Sequence, residues 1–225
     1  MISVIVPGRS FKQDQELIKI YSRLINIPDL ELVFVLNEID CPKNVKAIEC
    51  KTNSRSKKLN EGVKISNGEL IILHHPRSIL DKGAISLLLK SKDHLKWGGF
   101  THKFDSNHWL LSFTSWYSNE VRAKLRGIIY LDHCIIVRRE LYEFVGGIPE
   151  VDIFEDTLIC EKLNQICSPQ IIPCYSITSS IRFQKNGIIK QALLNQILKI
   201  GYYFGVSDFI MNKVYEKELN LNSKY

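Results

Sequence analysis

The first eighty residues alternate between short apolar runs and amphipathic segments, and this alternation restricts the fold more than any other feature of the chain. Four apolar runs have the length and composition of buried strands, at residues 2–7, 31–36, 45–50 and 69–75. Two segments with helical spacing of apolar residues lie between them, at residues 12–26 and 56–66. Strands that alternate with helices favour a mainly parallel sheet with helices on its faces. The sequence therefore predicts an α/β fold.

The rest of the chain mixes strand and helix signals without a repeat or a linker. Strands are predicted at residues 97–104 and, on both sides of Asp132, at residues 127–139. Helices are predicted at residues 81–91, 155–166, 187–204 and 208–219, and residues 220–225 are predicted to be frayed. An aromatic helical stripe is expected in the core, and its members are Trp109, Phe113, Trp116, Tyr117 and Val121. We predict one domain over residues 1–225, with a first half at 1–80 and a second at 81–219.

The composition limits which classes of binding partner and which cellular compartment we expect for the protein. The net charge of +6 and the pI of about 8.9 favour an anionic partner, such as a nucleotide, a phosphate or an anionic membrane face, although a solvated cationic surface explains them equally well. None of the six cysteines forms a CxxC pair or has zinc-ligand spacing, which is typical of thiols in a reducing compartment. The N-terminus lacks the pattern of a signal peptide, and no apolar run approaches the roughly 20 residues of a membrane span. We expect a cytoplasmic protein without a nucleic-acid partner.

Six fragments, taken in order, resemble one enzyme family. They are "SVIVP" (3–7), "RSKKLNEGVKISNGELIILHH" (55–75), "GGF" (98–100), "YLDHCIIVRRELYEFVGGIPEVDIFED" (130–156), "TSSIRFQKNG" (178–187) and "GYYFGVSDFIMNKVYEK" (201–217). The chain resembles the GT-A glycosyltransferases of family 2, in particular a bacterial subgroup of short, single-domain members. The resemblance implies a Rossmann-like half that binds a nucleotide-sugar donor and a half that binds the acceptor. It also implies inverting transfer of the sugar to a hydroxyl of a glycan, a lipid or a small molecule.

In such sheets the donor lies beyond the carboxyl ends of the strands. The resemblance implies nucleotide or diphosphate contacts for Pro7, Arg9, Asn37, Arg55, Asn60, Gly62, Arg77 and Arg182. Asn37 stands where the family has an aspartate, and a turn-forming asparagine is the alternative explanation. Arg9 and Arg55 either meet a phosphate or remain solvated. Cations at a helix N-terminus are unfavourable because the helix dipole is positive there. A bound anion would offset this cost.

The end of the fourth predicted strand departs from the family pattern. In the subgroup this strand ends in His-x-Asp and leads to a metal site, whereas here it reads His74, His75 and Pro76. Proline offers no side-chain ligand. A neutral imidazole binds Mn²⁺ acceptably and Mg²⁺ poorly.

Two functional interpretations of this substitution stay open. In the first, His74 and His75 hold Mn²⁺ or Mg²⁺, with Asp132 as a further ligand. In the second, Arg77 and Arg9 stabilise the diphosphate without a metal ion. The alternative to both is an inactive site.

Acidic residues of the second half supply the candidate base. The sequence "FED" matches the family's Glu-Asp pair, whose aspartate accepts the proton of the acceptor hydroxyl, so Asp156 is the candidate base and Glu155 lies on the acceptor side. The helix dipole is expected to keep Asp156 ionised, and helix capping is the alternative role. Asp132 stands inside an apolar run, where a carboxylate is costly unless it is bonded or functional. We expect a catalytic role for Asp132 and an acceptor-side role for His133.

Two functional classes remain at this point. The first is an active transferase. The second is a catalytically inactive relative that binds or regulates, because two carboxylates of the family pattern are missing and a fold alone does not confer activity. The C-terminal helices carry basic residues beside apolar ones, at Lys190, Lys199, Lys213 and Lys217. We expect these helices to pack on the chain's own sheet, with peripheral contact to an anionic membrane as the alternative.

Overall fold

The computed structural model describes residues 1–219, and residues 220–225, predicted to be frayed, lie outside the described range. The strands are β1 (Ile2–Pro7), β2 (Leu30–Leu36), β3 (Lys46–Glu49), β4 (Leu70–Leu73), β5 (Ser78–Leu80), β6 (Trp97–Phe104), β7 (Ile135–Arg138) and β8 (Gln170–Thr178). They form one sheet in the order β3-β2-β1-β4-β7-β6-β8-β5.

The sheet is mixed, with a parallel half and an antiparallel strand next to it. β3, β2, β1 and β4 are parallel neighbours, and β7 runs antiparallel between β4 and β6. β8 is parallel to β6, and β5 is antiparallel to β8. Every residue of β1 is buried, as expected of a central parallel strand covered on both faces. The predicted α/β fold with a mainly parallel sheet is confirmed.

Helices cover both faces of this sheet. They are α1 (Gln15–Leu24), α2 (Arg55–Ile65), α3 (Ala84–Ser91), α4 (Trp109–Trp116), α5 (Arg139–Phe144), α6 (Glu155–Asn164), α7 (Ile181–Asn186), α8 (Ile188–Tyr203) and α9 (Asp208–Leu219). A π-helical stretch, Tyr117–Leu125, continues α4, and one turn of 3-10 helix, Leu131–His133, precedes β7. None of the helices described over residues 1–219 combines the length and hydropathy needed to cross a bilayer.

The core is divided by the sheet into two apolar layers. Val4 and Val6 of β1 face the layer that contains α1 and α3, whereas Ile5 faces the layer that contains Leu59 and Val63 of α2. Helix α2 connects parallel strands, so its N-terminus lies at the carboxyl edge of the sheet. There the hydroxyl of the capping residue Ser54 accepts a hydrogen bond from the backbone N–H of Lys57 at 3.3 Å.

The region before β7 differs from the predicted strand at residues 127–139. Residues Leu131–His133 form a turn, Cys134 has a φ of 55°, and the strand is limited to Ile135–Arg138. The turn directs the carbonyl oxygen of Asp132 to the hydroxyl of Ser176, which donates to it at 2.6 Å. We also did not predict β5, β8 or α7 from the sequence.

The aromatic stripe of α4 was predicted to lie in the core, and for three of its residues this was wrong. Trp109, Phe113 and Trp116 keep 53% to 71% of their surface exposed, while Leu111 and Ser115 carry the buried face of the helix. Helical spacing identifies an apolar face, but it does not say whether that face is covered by the same chain.

Gly62 of α2 allows the helix to approach the sheet closely. A Cβ atom at this position would overlap Ile5 and lie 2.8 Å from Cγ2 of Val35. We expect Gly62→Ala to destabilise the fold by about 1–3 kcal/mol, because overpacking forces neighbouring side chains to move. Urea unfolding measures this change. The matched control is Gly83→Ala, whose added Cβ has no atom within 4 Å; equal losses in both variants would contradict the packing argument.

Candidate functional site

The carboxyl ends of β1, β2 and β4 meet at one edge of the sheet, which is the position where ligands bind in open α/β folds. The N-termini of α2 and α6 meet at the same edge. Nε of Arg55, the first residue of α2, donates a hydrogen bond to the carboxylate of Glu155, the first residue of α6. Backbone N–H groups and the positive ends of two helices therefore converge there.

Three arginines from distant parts of the chain come together at this edge: Arg55 of α2, Arg77 after β4 and Arg182 of α7. We call them the arginine cluster. Desolvation lowers the pKa of Arg77 to about 9, and the charges of Arg182 and Arg55 add to the effect. Desolvation also lowers the pKa of Arg182, and the charge of Arg55 acts in the same direction. Like charges that are poorly hydrated favour an anion between them.

Two carboxylates at the start of α6 border the arginine cluster. Besides its bond to Glu155, Arg55 has Nη2 4.0 Å from Oδ2 of Asp156. Asp156 also accepts hydrogen bonds from the backbone N–H groups of Leu131, at 3.1 Å, and Thr157, at 2.8 Å. Desolvation would lower the pKa of Arg55, but the charges of Glu155 and Asp156 outweigh it and raise that pKa.

The helix dipole, which we expected to control the protonation of Asp156, is not the main influence on its pKa. Desolvation and the neighbouring charge of Glu155 raise the pKa of Asp156 to about 6, although Arg55 opposes them. The carboxylate is thus ionised at neutral pH and more basic than an ordinary aspartate. These properties suit a proton acceptor.

The two histidines after β4 each use Nδ1 in a hydrogen bond within their own segment, and their predicted role as metal ligands stays a prediction. Nδ1 of the buried His74 donates to the carbonyl oxygen of His75 at 2.8 Å, and burial lowers the pKa of His74 to about 4. Nδ1 of His75 accepts the backbone N–H of Arg77 at 3.1 Å. Desolvation lowers the pKa of His75, followed by the charges of the arginine cluster. Within residues 1–219 no group of three or more His, Cys, Asp or Glu side chains could hold a metal ion.

Asp132 lies beside two buried histidines. Its Oδ2 is 3.4 Å from Nε2 of His102, and its Oδ1 is 4.0 Å from Nε2 of His133. Nδ1 of His133 donates to the carbonyl oxygen of Phe100 at 2.9 Å, and its Nε2 accepts the hydroxyl of Ser118 at 2.6 Å. Burial lowers the pKa of His133 to about 3, which keeps the ring neutral. Structural hydrogen bonds thus engage both ring nitrogens of His133, and its place on the acceptor side stays a prediction.

The turns after β1 and β2 are joined by a buried lysine. Nζ of Lys58 donates to the carbonyl oxygen of Gly8 and, at 2.5 Å, to Oδ1 of Asn37. Desolvation lowers the pKa of Lys58 to about 8. Arg9, which follows Pro7 and Gly8, donates to Oδ1 of Asn53 at 3.4 Å. Arg9 and Asn37 therefore bond to residues of the same edge, whereas Arg77 lies with Arg55 and Arg182.

Packing accounts for the Asn-x-Gly pair of α2. Asn60 donates to the carbonyl oxygen of Ile148 at 2.9 Å and accepts the backbone N–H of Ile148 at 3.1 Å and the hydroxyl of Tyr142. The side of Gly62 that would carry a Cβ faces Ile5 and Val35. These contacts fix α2 to the sheet and to the loop before α6, and the nucleotide contacts of Asn60 and Gly62 stay predictions.

Sequence reasoning missed four residues that tertiary structure brings to the site: His102, Arg122, Lys199 and Tyr215. Desolvation lowers the pKa of Lys199 on α8 to about 8; the charge of Arg122 adds to this shift and that of Asp132 opposes it. Lys199 is therefore desolvated and within electrostatic range of Asp132, although we had grouped it with the basic surface of the C-terminal helices. No spacing in the sequence relates these residues.

Helix α9 covers part of the arginine cluster. The ring of Tyr215 lies 5.2 Å from Cζ of Arg182, and Tyr215 opposes the desolvation that lowers the pKa of that arginine. Tyr215 and Phe154, which directly precedes Glu155, both pack against the apolar cluster that contains Met211. The last helix thus lies next to Arg182 and shares an apolar cluster with the residue before α6.

Comparison with solved structures decides the fold family. S. aureus TarS 1–349 superposes with a TM-score of 0.59 at 16% identity, over 80% of this chain and 60% of that one. The same protein in complex with UDP-GlcNAc gives 0.57 at 18% identity, over 79% and 58%. A mannosyltransferase from Pyrobaculum calidifontis, in complex with GDP-Man and Mn²⁺, gives 0.57 at 16% identity, over 78% and 56%. This chain has the GT-A glycosyltransferase fold.

The GT-A likeness at this identity concerns the fold. The chain spans about 60% of the length of the TarS 1–349 structure, and less of the other two. No protein-family model and no curated protein matches the sequence significantly.

Removing one charge from the arginine cluster tests whether the cluster binds an anion. We expect Arg77→Gln to raise the melting temperature of the ligand-free protein by about 2–4 °C, because it removes a desolvated like charge. We expect pyrophosphate to raise the melting temperature of the wild type and to have a smaller effect on the variant. Differential scanning calorimetry measures both quantities.

Arg126→Gln is the matched control, because Arg126 is exposed and contacts Tyr203 instead of the cluster. Equal stabilisation of all three proteins by pyrophosphate would show that the anion binds elsewhere.

Proposed function

We propose that this GT-A chain transfers a sugar from a nucleotide-sugar donor to an acceptor hydroxyl with inversion, and that arginines take the part of the divalent metal ion. The observation that carries the proposal is the convergence of Arg55, Arg77 and Arg182 beside Asp156, at the edge of the sheet where ligands of such folds bind.

On the donor side, the arginine cluster would bind the diphosphate. Guanidinium groups offer planar, bidentate hydrogen bonding to phosphate oxygens and keep their charge in desolvated sites. Positive charge that is already in position stabilises the negative charge that develops on the leaving diphosphate. The histidine pair after β4 contributes no anionic ligand, so no step in this mechanism depends on a metal ion.

On the acceptor side, Asp156 would act as the base. The acceptor hydroxyl oxygen forms a bond to the anomeric carbon from the face opposite the diphosphate, and its proton passes to the Asp156 carboxylate. The bond between the anomeric carbon and the phosphate oxygen breaks, and its electron pair leaves with the nucleoside diphosphate. Asp132, with His102 and Lys199 close to it, would contact the acceptor, which is a glycan, a lipid or a small molecule. The free thiols of all six cysteines agree with a proposed cytoplasmic location.

A second candidate is a binding protein without turnover. One observation favours it: Arg55 is already bonded to Glu155, and the ring of Tyr215 lies 5.2 Å from Cζ of Arg182, so part of the arginine cluster has partners within the chain. Donor binding followed by the absence of product would select this candidate.

Thermal shift tests donor binding directly. We expect one of UDP and GDP, or a sugar conjugate of one of them, to raise the melting temperature by about 5 °C or more at a hundredfold excess over its Kd. We expect the same shift in EDTA and in Mn²⁺, because the arginines supply the charge. A shift that requires Mn²⁺, or no shift with any nucleotide, would contradict the proposed donor site.

Asp156→Asn tests the base. We expect sugar transfer to fall by about a hundredfold or more. The melting temperature should not fall at neutral pH, because a folded-state pKa of about 6, above the ordinary 3.8, means that the fold disfavours the ionised carboxylate. That cost to stability is present above pH 6 and disappears below the unfolded pKa. The rate has the opposite dependence: wild-type transfer decreases below pH 6 as Asp156 takes up a proton.

The assay follows release of nucleoside diphosphate across pH. Asp152→Asn, the same change at an exposed position before α6, serves as the control and should retain wild-type transfer. Retained transfer in Asp156→Asn, or a loss of several degrees in melting temperature, would indicate helix capping as the role of Asp156.

A further inference from the structure

Helix α8 has an apolar stripe on its outer side. Ile189, Leu193, Ile197 and Ile200 follow one another at intervals of one helical turn, and each keeps between 57% and 68% of its surface exposed. The opposite side of the helix contributes Leu194 and Leu198 to the interior. An unbroken exposed stripe of large aliphatic side chains differs from the single exposed apolar residues that are normal on protein surfaces.

Neighbouring helices extend this stripe into a wider surface. Leu111 of α4 belongs to one apolar cluster with Phe183 of α7, and Ile188 and Ala192 of α8 pack against that cluster. α9 packs on α8 through Met211. The three helices expose a set of large apolar side chains that we call the outer face: Trp109, Phe113, Trp116, Ile189, Leu193, Ile197, Ile200, Phe209 and Ile210.

Lysines lie beside the outer face on α8 and α9. Residues 181–207 contain no acidic residue; of their four basic residues, Arg182 and Lys199 belong to the site, which leaves Lys185 and Lys190 outside it. Residues 109–117 contain no charged residue, and α9 begins with Asp208. Lys190 and Lys213 are exposed on α8 and α9, and Nζ of Lys213 lies 4.2 Å from the centroid of the Phe209 ring. Exposed aliphatic and tryptophan side chains with lysines around them match the boundary of a bilayer, where the apolar groups enter the lipid and the cations meet anionic headgroups.

We propose that the outer face binds the surface of an anionic lipid bilayer. A second copy of the chain is a poorer partner, because a symmetric contact centred on α8 would bring the lysines of the two helices together, with no carboxylate from residues 181–207 to pair with them. The proposal is independent of the transfer reaction, because it rests on the helix surfaces alone.

Co-sedimentation with vesicles tests the proposal. The full chain is mixed with vesicles of phosphatidylcholine that contain phosphatidylglycerol, and with vesicles of phosphatidylcholine alone. We expect binding to the first, weaker binding to the second, and loss of the difference at high salt, which screens the lysines. The double variant Leu193→Glu with Ile197→Glu should lower the partition coefficient by about tenfold or more.

Two further variants separate binding from folding. Phe144→Glu changes a residue of α5 that is 79% exposed, and it should bind as the wild type does. Trp109→Ser with Trp116→Ser removes apolar contacts from α4 alone and should also weaken binding, with an unchanged melting temperature.

Three outcomes would overturn the proposal. The first is no binding of the wild type to anionic vesicles. The second is equal binding by the wild type and both double variants. The third is concentration-dependent dimerisation without vesicle binding, abolished by Leu193→Glu with Ile197→Glu, which would assign the outer face to a second copy.

Discussion

Concentrated positive charge at the carboxyl edge of the sheet is the constraint on which the site depends. Arg55, Arg77 and Arg182 arrive there from α2, from the turn after β4 and from α7, and desolvation weakens their interaction with water. Glu155 and Asp156 offset part of this charge from the start of α6. Such a cluster lowers the stability of the ligand-free fold, and a bound anion restores it. A loss of stability of this kind is common at functional positions, and it is what we expect of the proposed diphosphate site.

The segment after β4 explains why arginines and not a metal ion are expected to meet the diphosphate. Proline 76 removes one side-chain ligand, and the following Arg77 donates its backbone N–H to His75. The cluster also holds His75 in its neutral form, because added positive charge opposes protonation. Three guanidinium groups can balance the charge of a diphosphate without the carboxylates that Mg²⁺ prefers.

The elements of the fold that we could predict from the sequence are those determined by a local pattern of apolar residues. β1, β2 and β4 are continuous apolar runs, and α2 and α6 have helical periodicity, so the parallel half of the sheet followed from them. β5 and β8 pair across almost a hundred residues, and no local signal marks that pairing. The arginines were found through the family resemblance. Lys199 and Tyr215 were not identified as site residues, because α8 and α9 bring them to the site only in the tertiary structure.

A crystal structure of the chain with a nucleoside diphosphate and EDTA tests the central claim most directly. We expect the diphosphate oxygens within hydrogen-bonding distance of Arg77 and Arg182, with Tyr215 displaced from Arg182 or sharing it with the phosphate. We also expect no metal-dependent change when the same crystal is grown with Mn²⁺. A diphosphate held through Mn²⁺ on His74 or His75, or bound away from all three arginines, would contradict it.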